Sequence, residues 1–229
     1  AINSGNSIVL TAPTGSGKTL LGEFAIYRAL SHKNKVFYTT PLKALSNQKF
    51  RDFTDQFGEN NVGLLTGDIS INRNASVLVM TTEIFRNMLY GEFEDLDDPL
   101  ENLESVILDE CHYMNDPQRG TVWEETIIHC PSNTQIIALS ATISNSLQLK
   151  NWINKVHGPT SLISSNTRPV PLEFIFCSAK GLHPLLNKKG NVIHPNCKVW
   201  RAPKGQLKKS KFGRITQPKS PPISFVISK

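Results

Sequence analysis

The feature that most restricts the fold of this chain is a glycine-rich segment between a short apolar run and a helical pattern. The apolar run, residues 7–11, is typical of a buried strand, and apolar residues recur at helical spacing over residues 19–30. The segment between them reads Ala12, Pro13, Thr14, Gly15, Ser16, Gly17, Lys18, Thr19. A strand, a loop of this composition and a helix, in that order, predict a phosphate-binding loop.

The chemistry of this loop follows from its residue types. Glycine lets backbone N–H groups turn inward around phosphate oxygens, and the start of the following helix adds a partial positive charge. The Lys18 ammonium is predicted to reach the β- and γ-phosphates of a nucleotide, and the Thr19 hydroxyl to bind Mg²⁺. Ala12 stands where the general pattern has its first glycine, whereas Gly15 and Gly17 remain.

A second apolar run delivers two carboxylates. Residues 106–108 are Val-Ile-Leu, and they lead directly into Asp109 and Glu110. Ligands of α/β sheets bind at the carboxyl ends of the strands. We therefore predict that Asp109 holds Mg²⁺ through water and that Glu110 polarises the attacking water as general base. The alternative is an acidic pair that only ends a strand, and the phosphate loop disfavours it. The predicted catalytic residues are Lys18, Asp109 and Glu110.

Strands and helices alternate along the chain as far as residue 176. Further strands are predicted at residues 36–39, 62–65, 76–80, 106–108 and 136–139, and helices at residues 42–57, 83–90, 124–128 and 147–156. This alternation predicts an α/β fold with a mostly parallel sheet sandwiched by helices. The acidic residues 92–98 are predicted to form a surface loop.

Charge divides the chain into two parts. Residues 1–173 contain 13 Lys+Arg and all 19 Asp+Glu, whereas residues 174–229 contain 12 Lys+Arg and no acid. We predict that residues 177–229 form a basic tail of low order or the start of an interdomain insertion. Two interpretations of the tail stay open. It is an electrostatic arm that binds nucleic acid or an acidic partner, or it is a solvated segment.

Other classes of protein are disfavoured by what the sequence lacks. It has no uninterrupted apolar run of about 18 residues, so no membrane partner is expected. The four cysteines form no C-x-x-C pair, which disfavours a zinc site of the usual spacing. Residues 1–5 lack the basic and apolar segments of a signal peptide and lead almost directly into a strand, so we expect a chain without its true N-terminus, whose targeting the sequence does not indicate.

Several motifs, in this order and spacing, resemble those of the superfamily-two DExH-box RNA helicases of the superkiller-like class. Residues 109–112 (Asp-Glu-Cys-His) match the DExH box, and residues 140–142 (Ser-Ala-Thr) match the motif that follows it. Residues 40–48, 66–68 and 81–83 resemble motifs that touch the nucleic-acid backbone, and residues 168–173 resemble the exit from the first RecA-like domain. Residues 109–125 resemble the cyanobacterial and chloroplast members.

The resemblance implies a RecA-like, ATP-binding helicase domain over residues 1–176 and an ATP-dependent RNA helicase as its source. Its cofactors would be ATP and Mg²⁺, and its partners RNA and a second RecA-like domain. By the same resemblance, the residues that couple nucleotide state to nucleic-acid binding are His112, Ser140, Ala141 and Thr142. The implied nucleic-acid contacts come from Pro41, Lys43, Gly67, Thr82 and Glu83.

The sequence departs from the family pattern in two places. The glutamine motif that recognises adenine is absent, and so is the second RecA-like domain with the arginines that complete the ATPase site. Phosphoryl transfer without an arginine finger is slower by about 10³–10⁵. We therefore expect an apparently truncated chain in which hydrolysis and unwinding require the second domain. Two alternatives stay open at this point, a nucleotide- and RNA-binding module without turnover and a DNA-directed helicase.

Overall fold

A computed structural model of the protein describes residues 2–93, 98–178 and 181–186. The chain divides into two units, Ala1–Pro169 and Val170–Lys229. The domain boundary expected at residue 176 stays a prediction. Within the described residues, no helix has the length and apolar character that crossing a membrane requires.

One eight-stranded sheet organises the first unit. Its strands are β1 (Ser7–Thr11), β2 (Lys35–Thr40), β3 (Val62–Leu65), β4 (Ser70–Ile71), β5 (Val77–Thr81), β6 (Leu103–Leu108), β7 (Gln135–Ser140) and β8 (Thr160–Ser164). They lie in the order β4-β3-β5-β2-β6-β7-β1-β8, and every neighbouring pair is parallel except β3 and β4. The mostly parallel sheet confirms the predicted fold class.

Helices cover both faces of this sheet. They are α1 (Thr19–Ser31), α2 (Lys43–Phe57), α3 (Thr82–Leu89), α4 (Gly120–His129) and α5 (Ser146–Val156). Buried residues of α1 and α2 pack on one face of the sheet, and those of α3, α4 and α5 pack on the other. Because both faces are covered, β3 and β5 are buried along their whole length. Trp123 on α4 is fully buried in this core.

Two edge strands and the start of β6 were not predicted. The sequence of β8, Thr-Ser-Leu-Ile-Ser, is largely polar, and among the described residues β8 pairs with β1 alone, at the sheet edge. Strand β4 has two exposed residues, which is too short for a periodic signal. Strand β6 begins at Leu103 rather than at residue 106, since the polar Glu104 and Ser105 interrupt its apolar run.

The carboxylate of Glu104 is held by a polar cluster at the amino-terminal edge of the sheet. Arg28 Nε donates to Glu104 Oε1 at 2.5 Å, and Arg28 Nη1 donates to the carbonyl of Ile2 at 2.6 Å. Asn34 Nδ2 donates to Glu104 Oε2 at 2.9 Å, and His32 Nδ1 lies 3.0 Å from the same oxygen. Burial opposes ionisation of Glu104, but these hydrogen bonds outweigh it and lower the pKa of the carboxyl.

The described part of the second unit contains an antiparallel hairpin. Its strands are β9 (Ile175–Ser178) and β10 (Gly181–Pro184). The hairpin includes the first residues of the predicted tail, and residues 187–229 lie outside the described residues, so the low order of the tail stays a prediction. Residues 94–97 of the predicted acidic loop also lie outside them.

Candidate functional site

The predicted site residues follow the carboxyl ends of neighbouring parallel strands. The phosphate loop follows β1, the acidic pair follows β6, and Ser140 ends β7. Because β7 lies between β1 and β6, the phosphate loop and Asp109 flank the end of β7. The segments predicted to touch nucleic acid follow β2, β3 and β5 at the same edge. The topology therefore gathers all of these motifs along one side of the sheet.

The phosphate loop has a backbone that depends on its glycines. Gly15 and Gly17 have φ angles of 82° and 80°, which residues with a side chain rarely adopt. The Lys18 ammonium donates to the carbonyls of Ala12 at 2.9 Å and Pro13 at 3.1 Å, so it lies across the loop. Ser16 Oγ is buried and has no hydrogen-bond partner among the described residues. The loop thus contains an ammonium and a buried hydroxyl without a hydrogen-bond partner among the described residues, a combination that suits an anionic, oxygen-rich ligand.

A second ammonium lies beside the hydroxyl predicted to bind metal. Lys49 on α2 points its Nζ at Thr19 Oγ1, 3.3 Å away. The same Nζ lies 5.8 Å from the centre of the Tyr38 ring and 5.9 Å from that of Phe53. The oxygen of Thr19 is therefore an acceptor that faces a positive charge in this structure, and a bound Mg²⁺ would take the place of the Lys49 ammonium there.

Both carboxylate oxygens of Asp109 accept a hydrogen bond. The hydroxyl of Tyr38 donates to Oδ2 at 2.7 Å, and the backbone N–H of Glu110 donates to Oδ1 at 2.9 Å. Burial, and then the Asp109 charge, raise the pKa of Tyr38 well above its ordinary value, so the phenol stays protonated and remains a donor. The orientation of the Asp109 carboxylate is thus fixed by two donors.

The Tyr38 ring reaches Asp109 because helix α1 carries a glycine where it crosses the ring. A Cβ atom at Gly22 would lie 2.9 Å from Cε2 of Tyr38, closer than side-chain contacts allow. A larger residue at position 22 would push the ring away from the carboxylate. Tyr38 itself is fully buried in the sheet, so it cannot move aside without disturbing the core.

Glu110 lies on a sharp turn at the end of β6. Its φ of 52° places it in the left-handed region, directly before the 3₁₀-helix Cys111–Asn115. Its side chain is 32% exposed, and Oε2 lies 3.2 Å from Nδ1 of His112 without hydrogen-bond alignment. Burial raises the pKa of Cys111 to about 12, so its thiol stays protonated. The Glu110 carboxylate is partly exposed, so water can approach it.

The end of β7 connects with the phosphate loop through the backbone. The N–H of Ala12 donates to the carbonyl of Ser140 at 3.1 Å. Ser140 Oγ is buried and has no hydrogen-bond partner within the described part of the chain, whereas Thr142 is exposed. Ala141, between them, is partly buried. This hydrogen bond directly links the phosphate loop with residues 140–142. The coupling roles of His112, Ser140, Ala141 and Thr142 stay predictions.

The residues predicted to contact nucleic acid fall into two groups. Lys43 and Gly67 are exposed, and the Lys43 ammonium donates to Asp68 Oδ1 at 2.7 Å. Pro41 and Thr82 are buried, and the Thr82 hydroxyl donates to the carbonyl of Thr40 at 3.3 Å. The whole Thr82 residue, backbone included, is 0% exposed, so a nucleic acid does not reach it in this structure. These roles stay predictions.

Glu83 has a partner that the sequence did not indicate. Arg119, which precedes α4, donates from Nη2 and Nε to Glu83 Oε1. Sequence reasoning also missed Tyr38 and Lys49. None of the three lies in a local motif with a chemical signature, because each acts on a residue that is distant in sequence.

Comparisons with known proteins agree with this geometry. The sequence pattern of the family described as DEAD/DEAH box helicase matches residues 1–149. The chain is 51% identical over 188 residues, 81% of its length, to the DExH-box ATP-dependent RNA helicase DExH15, chloroplastic, of Arabidopsis thaliana. It is 45% identical over 85% of its length to the antiviral helicase SKI2 of Saccharomyces cerevisiae. It is 41% identical over 91% of its length to the ATP-dependent RNA helicase mtr4 of Schizosaccharomyces pombe.

Solved structures share the fold at lower identity. The helicase MrfA, solved with DNA and AMPPNP, superposes on 73% of this chain with a TM-score of 0.61 and 22% identity, over 26% of its own length. The Hef helicase domain of Pyrococcus furiosus superposes on 70% with a TM-score of 0.54 and 24% identity, over 35% of its own length.

This chain spans 16%, 15% and 20% of the lengths of the three sequence relatives. The family pattern nevertheless covers well over half of the 229 residues. The chain belongs to the DEAD/DEAH box helicase family.

Proposed function

We propose that this chain is the first RecA-like motor domain of an ATP-dependent RNA helicase. In this proposal it binds ATP with Mg²⁺ and the backbone of RNA, while hydrolysis and unwinding require a second RecA-like domain. The observation that carries the proposal is the placement of the Lys18 loop and the Asp109–Glu110 pair on two sides of the end of β7. In this proposal the nucleotide phosphates and Mg²⁺ bind between the loop and the two carboxylates.

Lys18 and the loop backbone would bind the phosphates. The Lys18 ammonium exchanges its bonds to the carbonyls of Ala12 and Pro13 for charge-assisted bonds to phosphate oxygens. Ser16, whose hydroxyl has no hydrogen-bond partner among the described residues, belongs to the same loop, and the N-terminus of α1 follows this loop directly. The loop therefore supplies positive charge and donors without a large rearrangement of the sheet.

Thr19 and Asp109 are the residues that would hold Mg²⁺, through a hydroxyl and a carboxylate. When bound, the metal neutralises negative charge on the phosphates. Tyr38 and the N–H of Glu110 keep the Asp109 carboxylate in one orientation. Glu110, half-exposed on its left-handed turn, would accept a proton from the attacking water.

RNA is the nucleic acid that we propose, because the relatives at 51% and 41% identity are named as RNA helicases. The exposed residues Lys43 and Gly67 suit contacts with the phosphate backbone, which carry no sequence information. We infer that RNA affinity depends strongly on charge and weakly on the RNA sequence.

The experiment that tests the proposal compares RNA and DNA directly. Fluorescence anisotropy would follow labelled single-stranded RNA and DNA of the same sequence, with and without Mg·AMPPNP. We expect RNA to bind more tightly than DNA, and the nucleotide to tighten RNA binding by about five- to tenfold. Preference for DNA would indicate a DNA-directed helicase, and the absence of binding to either polymer would contradict the proposal.

Tyr38 provides a separate test of the metal site. Replacing Tyr38 with phenylalanine removes one donor to Asp109 and keeps the buried ring. Loss of a residue that orients a metal ligand typically lowers metal affinity about 10- to 100-fold. We therefore expect the variant to need at least about tenfold more Mg²⁺ for nucleotide binding. Titrating Mg²⁺ at fixed fluorescent ADP measures this. Tyr27→Phe, an exposed tyrosine on α1, is the matched control. An unchanged Mg²⁺ requirement would remove Tyr38 from the site.

A further inference from the structure

Arg119 joins two segments that carry different motifs. Its Nη2 donates to the carbonyl of Pro41 at 2.7 Å, and its Nη2 and Nε both donate to Glu83 Oε1. Pro41 belongs to the segment after β2, and Glu83 to the first turn of α3. Both segments lie among those proposed to meet nucleic acid. One guanidinium therefore fixes the spacing between them.

The position of Arg119 is in turn tied to the acidic pair. The neighbouring Gly120 packs so closely that a Cβ atom there would lie 2.2 Å from the carbonyl oxygen of Met114. Met114 belongs to the 3₁₀-helix Cys111–Asn115, which directly follows Glu110. The N–H of Arg119 also donates to Asp116 Oδ1 at 3.2 Å, just after that helix. A displacement at Glu110 would thus be transmitted to Arg119 through packed backbone.

The Trp123 ring further restricts the guanidinium. The guanidinium carbon of Arg119 lies 6.0 Å from the centre of the Trp123 ring, and Trp123 is fully buried in the core. The side chain of Arg119 is 36% exposed and that of Glu83 is 33% exposed. The pair is therefore half-buried, and the planar fork of arginine matches its two acceptors in a way that an ammonium cannot.

We propose that Arg119 is a positioning residue that couples the ATP site to the nucleic-acid surface. It acts by holding the segments of Pro41 and Glu83 in the spacing that binds the RNA backbone, and by tying that spacing to the 3₁₀-helix after Glu110. It makes no contact with phosphate itself. This inference rests on the proposed function, since it concerns the same RNA and nucleotide.

The chain contains a matched control for this arginine. Arg28 also bridges a carboxylate and a backbone carbonyl, those of Glu104 and Ile2, but at the opposite edge of the sheet. Arg28→Ala therefore removes the same kind of ion pair and carbonyl bond far from the proposed RNA surface. Effects of lost structure alone will appear in both alanine variants.

The test measures RNA binding by the 229-residue chain and its Arg119→Ala, Arg119→Lys and Arg28→Ala variants. The probe is a labelled single-stranded RNA, titrated over a range of salt, with and without Mg·AMPPNP. For Arg119→Ala we expect RNA affinity about tenfold weaker and the effect of nucleotide on RNA affinity reduced to about twofold or less. Nucleotide affinity without RNA stays within about twofold of the wild type, as does the RNA affinity of Arg28→Ala.

The salt dependence separates positioning from direct contact. The slope in question is that of the logarithm of RNA affinity against the logarithm of salt concentration. Loss of a direct phosphate contact reduces the size of this slope by about one, whereas loss of a positioning residue leaves it unchanged. Arg119→Lys keeps the charge and loses the fork, so we expect it to resemble Arg119→Ala. If Arg119→Ala does not fold, as judged by its thermal transition, Arg119→Lys carries the test alone.

Three results would overturn the inference. The first is a salt slope of RNA affinity that is reduced by about one in Arg119→Ala. The second is wild-type RNA affinity in Arg119→Lys. The third is an equal loss of RNA affinity in Arg119→Ala and Arg28→Ala. Failure of the proposed function looks different, because the unmodified chain would then bind no RNA or show no effect of nucleotide.

Discussion

Replacing Lys18 with alanine is expected to weaken the binding of Mg·ATP by at least about 100-fold, which corresponds to roughly 2.7 kcal/mol. In the structure the ammonium makes two hydrogen bonds to carbonyls of its own loop. Phosphate oxygens replace those carbonyls on binding, and each charge-assisted bond is worth about 1.5–3 kcal/mol. Isothermal titration calorimetry measures the affinity, and thermal unfolding verifies that the variant remains folded.

Lys33→Ala is the matched control for this change. Lys33 is exposed and lies just beyond the other end of helix α1, so its loss removes the same charge from the same region of sequence. We expect its affinity for Mg·ATP to stay within about twofold of the wild type, because exposed charges at that distance are screened. Near-normal affinity in Lys18→Ala would show that the loop does not bind phosphate.

Replacing Glu110 with glutamine is expected to lower the rate of ATP hydrolysis by about 10²–10⁴-fold while leaving ATP affinity within about twofold. The amide cannot accept a proton from water, but it keeps the size of the side chain and the backbone N–H bond to Asp109. Single-turnover hydrolysis with excess protein, saturating RNA and a second RecA-like domain supplied in trans measures the rate.

Glu125→Gln provides the comparison for Glu110→Gln. Glu125 lies on α4, where its carboxylate pairs with Arg86 of α3 at 3.7 Å, and it follows no strand end. We expect its hydrolysis rate to be close to that of the wild type. If Glu110→Gln hydrolyses ATP as fast as this control, Glu110 is not the general base.

The main features of the fold and the nucleotide site could be predicted because they are encoded by short segments. The run before Ala12 and the run before Asp109 each combine a buried strand with its functional residues, so the carboxyl edge of a parallel sheet brings them together. Strand β1, predicted at residues 7–11, has these bounds in the structure. Lys18, Asp109 and Glu110 were therefore placed at one edge by local pattern alone.

The partners that orient these residues could not be predicted in the same way. Tyr38 is 71 residues from Asp109, and Arg119 is 36 residues from Glu83. Their contacts depend on the register of β2 against β6 and on the packing of α3 against α4, which no local pattern specifies. Strand β8 was missed for a related reason, since a polar edge strand is defined by pairing with β1 rather than by its own periodicity.

The most direct test of nucleotide binding is equilibrium binding of ATP to the unmodified 229-residue chain, titrated with and without Mg²⁺. We predict one saturable site that requires Mg²⁺ for full affinity and that ADP competes for, since the phosphate loop, Thr19 and Asp109 all lie within this chain. A folded chain that binds no nucleotide at millimolar ATP would contradict it.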